Sequence, residues 1–169
     1  MTQEELQKFF ASVTDLRNLL AFKLGYIYAM RVGEIVQIKL KDIQQNRIMI
    51  QGLKNGRMGC YPLSNELKEL LRKWLKVRPD RGEFLFPTEQ NNGNHISRLT
   101  LQKRFYRYCR DARIGHYSIH SLRHTRCVDL VSGDSVNPYE VMAFVRHKTI
   151  GMILNYIREK RFDFSKFVE

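Results

Sequence analysis

The dipeptide Asn55-Gly56 is the tightest local constraint in this chain. Both residue types accept positive φ. The pair separates two short runs, Arg47-Ile48-Met49-Ile50 and Cys60-Tyr61-Pro62-Leu63. This pattern predicts an antiparallel hairpin with Lys54 beside its turn. Nearly every other apolar residue in the chain is spaced for a helix, so the hairpin must sit inside a helical framework.

Thr2 and Glu5 predict a capping box, so a helix starts near the first residue with Leu6, Phe9 and Phe10 inward. A second helix follows Thr14, buried through Leu16, Leu19, Leu20, Phe22, Leu24 and Ile27, and Arg31 lies at its end. Glu34, Ile35 and Ile38 read as a further short turn. Ser64 caps a helix bearing Leu67, Leu70, Leu71, Trp74 and Leu75, which Pro79 and Gly82 end. Residues 87–98 are polar and rich in Asn and Gly, a mobile loop. Thr100 opens a helix with Leu101, Phe105, Tyr108 and Cys109 inward and Lys103, Arg104, Arg107 and Arg110 opposite. Ser121 caps the next helix, Gly133 stops it, and Asn137-Pro138 starts another. Thr149 caps the helix bearing Tyr156, and the tail from Lys160 alternates charge with Phe162, Phe164 and Phe167. The expectation is one domain over residues 1–169, mainly α with a small antiparallel β-sheet or hairpin, an α+β fold.

The 169 residues suffice for one sizeable core. Lys plus Arg is 29 against 17 for Asp plus Glu, a net charge of +12. That excess predicts a polyanionic partner, most simply double-stranded DNA; a basic, unspecific solvated surface is the plainer alternative. No signal peptide and no membrane-spanning apolar run is present in the sequence, so a soluble, cytoplasmic protein without a membrane partner is expected. Cys60, Cys109 and Cys127 have no zinc spacing and read as buried free thiols.

Several charged residues stand where their cost needs a reason. Arg31 follows a long apolar segment. It is either a phosphate-binding group or half of a simple bridge to Glu34. Lys54, at the hairpin tip, is either solubilising or an acid delivered into a groove. His120 and Arg123 share a face at a helix start, where free N–H groups favour a phosphate. His120 and His124 are also at zinc spacing, but no carboxylate lies between them. His124 is therefore assigned a buried hydrogen bond. Tyr156, nine residues after His147, sits among Ile153, Leu154 and Ile157 and would pass for a core tyrosine.

Together these segments resemble the catalytic domain of the tyrosine recombinase (phage integrase) family, from the opening helix to Tyr156. The matching features are Arg31 with Glu34, Lys54 eight residues before Pro62-Leu63, the box His120-Ser121-Leu122-Arg123-His124-Thr125, and His147 nine residues before Tyr156. Two departures stand out. The family commonly has Gly where this chain has Ala29, and Leu-Gly where it has Val145-Arg146. Arg146 then either needs room near the site or adds a phosphate contact. The family also carries an N-terminal core-binding domain, and residues 1–169 are expected to hold the catalytic domain without it.

The resemblance implies a site-specific recombinase or integrase that cleaves and rejoins DNA through a 3′-phosphotyrosyl link, as a tetramer or other homo-oligomer on DNA. Tyr156 is the implied nucleophile. Arg31 and Arg123 hold the phosphate, His120 takes the phenol proton, Lys54 protonates the leaving oxygen, and His147 donates to the phosphate. Glu34 and His124 support them. Lys103, Arg104, Arg107 and Arg146 are expected DNA contacts. Neither metal nor ATP nor any other cofactor is required. The alternatives are a type IB topoisomerase-like nicking-closing enzyme, a non-catalytic DNA-binding accessory module and a metal-dependent nuclease, the last disfavoured by the lack of a carboxylate cluster.

Overall fold

The computed structural model describes residues 1–52, 58–90, 93–132 and 137–158. The helices are α1 (Gln3–Ser12), α2 (Leu16–Ile27), α3 (Val32–Val36), α4 (Asn65–Val77), α5 (Arg98–Asp111), α6 (His120–Ser132), α7 (Pro138–Phe144) and α8 (Gly151–Arg158). A 3-10 turn, Leu40–Asp42, leads into a sheet of β1 (Ile43–Gln44), β2 (Arg47–Gln51) and β3 (Met58–Pro62). The sheet is antiparallel in the order β1-β2-β3, with Met49 opposite Cys60. The Asn55-Gly56 turn and Lys54 lie outside the described residues, as do Gly133 and the tail from residue 159.

Local chemistry sets most boundaries. Thr2 and Glu5 form the expected capping box. Ser64 caps α4, and Asn137 caps α7 with Pro138 in its first turn. Ser97, rather than Thr100, caps α5 by accepting from the Thr100 amide, so this helix starts two residues earlier. α6 begins at His120 and not after Ser121, whose amide closes a turn onto Ser118. β1 was not expected. Gln45 and Asn46 both take positive φ, 48° and 61°, and so build a two-residue turn without a glycine. The polar stretch 87–98 is pinned on both sides where described: Ile96 donates to Phe86 and Thr88 to Asn94.

The main core packs α1, α2 and α5 through Phe9, Phe22 and Phe105, whose ring centroids are 4.6–5.4 Å apart. Trp74 closes the α4 side and donates its indole N–H to the Leu85 carbonyl at 2.9 Å. A smaller cluster, Ala29, Cys127, Val131, Val141, Val145 and Ile153, gathers α6, α7 and α8. Gly25 lets the elements converge where it matters. A β-carbon there would lie 3.1 Å from Ile35 and 3.7 Å from Leu122, so α2 sits close to both α3 and α6. The sequence reading erred on two of these side chains: Cys60 is an exposed thiol on a sheet edge, and Leu75 is 46% exposed.

Candidate phosphodiester site

Five of the six expected catalytic residues come together where α3, α6, α7 and α8 meet; the sixth, Lys54, lies outside the described residues. Arg31 caps the front of α3. Its amide donates to Glu34 Oε2 at 2.8 Å and its Nη1 to Oε1 at 3.1 Å. The Arg31 side chain is one-third exposed while that of Glu34 is fully buried. The expected bridge to Glu34 is made, and the Arg31 side chain still faces solvent. A guanidinium carries five N–H donors, so donors remain for a ligand.

On α6, His120, Arg123, His124 and Cys127 follow the i, i+3, i+4, i+7 spacing of one helical face. Arg123 is 1% exposed. One of its terminal nitrogens donates to the Ala29 carbonyl and the other to Val145 at 2.8 Å. Burial first, and then the charge of Arg31, push the Arg123 pKa down to about 10, so it stays cationic at neutral pH. Solvent reaches His120. Even so, desolvation, followed by the charges of Arg123 and Arg31, holds its imidazole below the ordinary value.

His147 follows α7 and is 1% exposed. Burial, then Arg123 and Arg31, bring its pKa to about 4, so it is neutral at physiological pH. Among the described residues its Nδ1 has no hydrogen-bond partner. On α8, the Tyr156 ring lies 6.4 Å from that of His147 with 19° between planes, and edge-on to His124 at 5.0 Å. Its hydroxyl acts as a donor beside the Cys127 thiol, whose pKa burial raises. His124 is exposed, so the buried hydrogen bond expected for it is not made; its ring packs the edge of Tyr156 instead.

The four expected DNA contacts divide. Lys103 and Arg107 are exposed on α5. Arg104 is held by Glu89 at 2.5 Å and by Asn18 at 3.3 Å. Arg146 is 2% exposed, and both of its terminal nitrogens donate inside the protein. Of the two sequence readings, the structure takes the one that makes room for it. Two contributors escaped the sequence reading. Cys127 could have been found from the helical stripe that runs from His120. Tyr61, which donates to the Phe144 carbonyl at 2.7 Å, had no local signal at all.

The arrangement is a cationic, partly desolvated pocket: three guanidiniums and one carboxylate among the described residues, with two depressed histidines and a phenol. Such a set favours a phosphate and its more highly charged transition state. A model of the phage integrase family matches residues 1–161, and the chain belongs to that family. Among relatives, the type 1 fimbriae regulatory protein FimE of Escherichia coli is 27% identical over 172 residues, covering 92% of this chain and 83% of that protein. Tyrosine recombinase XerA of Pyrococcus horikoshii is 26% identical over 74% of this chain and 45% of its own length. Tyrosine recombinase XerC of Corynebacterium glutamicum is 32% identical over 70% of this chain and 39% of its own. The chain thus spans less than half of these two recombinases. Among solved structures, XerA recombinase superposes with a TM-score of 0.81 at 17% identity, over 96% of this chain and 65% of the other. XerH bound to its difH substrate before cleavage gives 0.78 at 23%, over 93% and 49%. The tyrosine recombinase catalytic-domain fold is therefore established.

Proposed function

We propose that this chain is the catalytic part of a site-specific DNA recombinase that breaks and rejoins strands by transesterification. The carrying observation is the seat of Tyr156, stacked beside His147 with Arg123 and Arg31 around the same pocket. In the forward step the Tyr156 oxygen attacks phosphorus, and the phenol proton passes to His120. The P–O5′ bond breaks, leaving a 3′-phosphotyrosyl link and a 5′-hydroxyl. A phenol ordinarily has a pKa of about 10, so a neutral base nearby is required at pH 7; the depressed His120 supplies one. Arg31 and Arg123 hold the non-bridging oxygens, where charge develops. His147, buried and uncharged, contributes a directed hydrogen bond. Lys54 protonates the leaving oxygen, an assignment that rests on sequence. A 5′-hydroxyl from a second duplex reverses the step. Double-stranded DNA is the partner, and exchange between duplexes implies several copies acting together, a tetramer for two duplexes.

The test is a covalent-adduct assay on a pool of nicked duplexes in EDTA, resolved in SDS. Wild type gives a denaturant-resistant complex and Tyr156→Phe gives none. No complex from wild type would favour a non-catalytic DNA-binding module. A complex that survives in Tyr156→Phe would assign the chemistry to another tyrosine. Relaxation of supercoiled plasmid without exchange would mark a nicking-closing enzyme.

A further inference from the structure

Arg146 is the most heavily bonded buried cation among the described residues, and the mechanism does not use it. It takes φ of 57°, a left-handed conformation disfavoured for any side chain except glycine. Nothing about its sequence neighbours forces that conformation, so its surroundings must. Nη1 donates to the Tyr61 hydroxyl at 2.8 Å and the Phe144 carbonyl at 3.2 Å. Nη2 donates to the carbonyls of Tyr28 at 3.1 Å and Ala29 at 3.4 Å, and to Glu34 Oε2 at 3.1 Å. These partners come from the end of α2, from α3, from β3 and from the end of α7. Glu34 is thereby shared: Arg31 takes Oε1, while Arg146 and the Arg31 amide take Oε2. The Ala29 carbonyl is shared too, between Arg146 and Arg123.

We propose that Arg146 is a positioning residue of the phosphate site, whose buried guanidinium ties the turn carrying His147 to Glu34 and through that carboxylate fixes Arg31. The inference rests on the transesterase reading for its kinetic consequence. Arg146 never touches the reacting atoms. It fixes the His147 turn against three other elements. It also adds a second cation to Glu34, so the carboxylate does not neutralise Arg31 alone. Tyr61 carries the same clamp to β3, the strand paired with β2.

The experiment compares wild type, Arg146→Gly and Tyr61→Phe, because glycine accepts φ of 57° without strain. Single-turnover cleavage is followed on a nicked duplex recovered from the adduct-forming pool, and affinity for that duplex is measured separately. Arg146→Gly lowers the cleavage rate about 10–100-fold, with affinity changed less than about two-fold. The acid limb of its pH–rate profile moves up. The charges acting on His147 are those of Arg31 before α3, His120 and Arg123 on α6 and Arg146 beside it, and the Tyr156 ring of α8 stacks on it; removing the Arg146 cation from this set eases its protonation. Tyr61→Phe keeps the cation but loses one anchor, so it slows cleavage without moving the limb. Wild-type rates and an unmoved limb in Arg146→Gly overturn the proposal. If Arg146→Gly does not fold, Tyr61→Phe decides: a wild-type rate in that variant overturns it. If wild type itself forms no adduct, the transesterase reading fails. The His147 ring titration followed by NMR in wild type and Arg146→Gly then decides, and an unchanged titration overturns the proposal.

Discussion

The ring of Tyr156 stacks beside that of His147 in the same chain, 6.4 Å between centroids and 19° from parallel. The two residues approach from opposite sides of a turn, His147 after α7 and Tyr156 on α8. Ile153, on the same helix, is fully buried in the cluster under α6. The proposed nucleophile thus packs against two histidines of its own chain.

That seat predicts cleavage within one subunit. Tyr156→Phe supplies a site without a nucleophile, and Arg31→Ala supplies a nucleophile without a complete site. Glu34 keeps Arg146 as a partner in the second variant, so the buried carboxylate stays paired. A mixture of the two chains on nicked DNA gives no adduct if each tyrosine serves its own pocket. Adduct restored by mixing would show delivery between subunits.

His147 makes stability depend on pH in a defined window. Its pKa falls from the ordinary 6.5 to about 4 on folding. The unfolded chain therefore binds the proton first as pH drops. Stability from this group is complete above about pH 6.5 and is lost as pH falls towards 4, by about 3 kcal/mol in all. His120 acts in the same direction. Thermal melts at steps from pH 7 to pH 4.5 will show a falling midpoint, and His147→Asn will flatten much of that slope. An equal slope in the variant would mean that other groups govern it.

Much of this site is legible in the sequence because its spacing is helical and its caps are local. His120, Arg123 and His124 share a face by periodicity alone, and Thr2, Ser64 and Asn137 announce their helices. Contacts between elements are not legible. Arg146 reads either as a side chain that needs room or as a phosphate contact until the backbone at Ala29, with φ of 48°, turns its carbonyl towards two guanidiniums. Tyr61 reads as one residue of a strand, and its hydroxyl is met by a carbonyl 83 residues away. The exposure of His124 and Cys60 likewise depends on which faces the neighbouring elements leave open.

Glu34 is a buried carboxylate shared by two arginines, so charge removal there is costly. Glu34→Gln leaves Arg146 without its counter-ion and destabilises by about 3 kcal/mol. For a domain of this size that lowers the midpoint by about 6–12 °C. Glu34→Gln combined with Arg146→Gly removes both charges, so the double variant loses less than the two single losses summed. Strict additivity, measured by denaturant titration of all four proteins, would show that the two residues are not coupled.

The basic face of α5 divides by what its residues already hold. Lys103 and Arg107 are exposed, with Arg107 donating, among the described residues, only to the neutral Tyr108 hydroxyl at 3.2 Å, whereas Arg104 is held by the Glu89 carboxylate and Asn18. A net charge of +12 predicts DNA affinity that falls steeply with salt. Each phosphate contact contributes about 0.9 to the slope of log affinity against log salt. Lys103→Ala with Arg107→Ala should therefore lower the slope by about 2, since two contacts go. Arg104→Ala should change it less, because its guanidinium must first leave Glu89. Titrations of a labelled duplex at four salt concentrations separate these outcomes. An unchanged slope in the double variant would make this face a solvated surface and place the DNA wholly on the side of Arg31 and Tyr156.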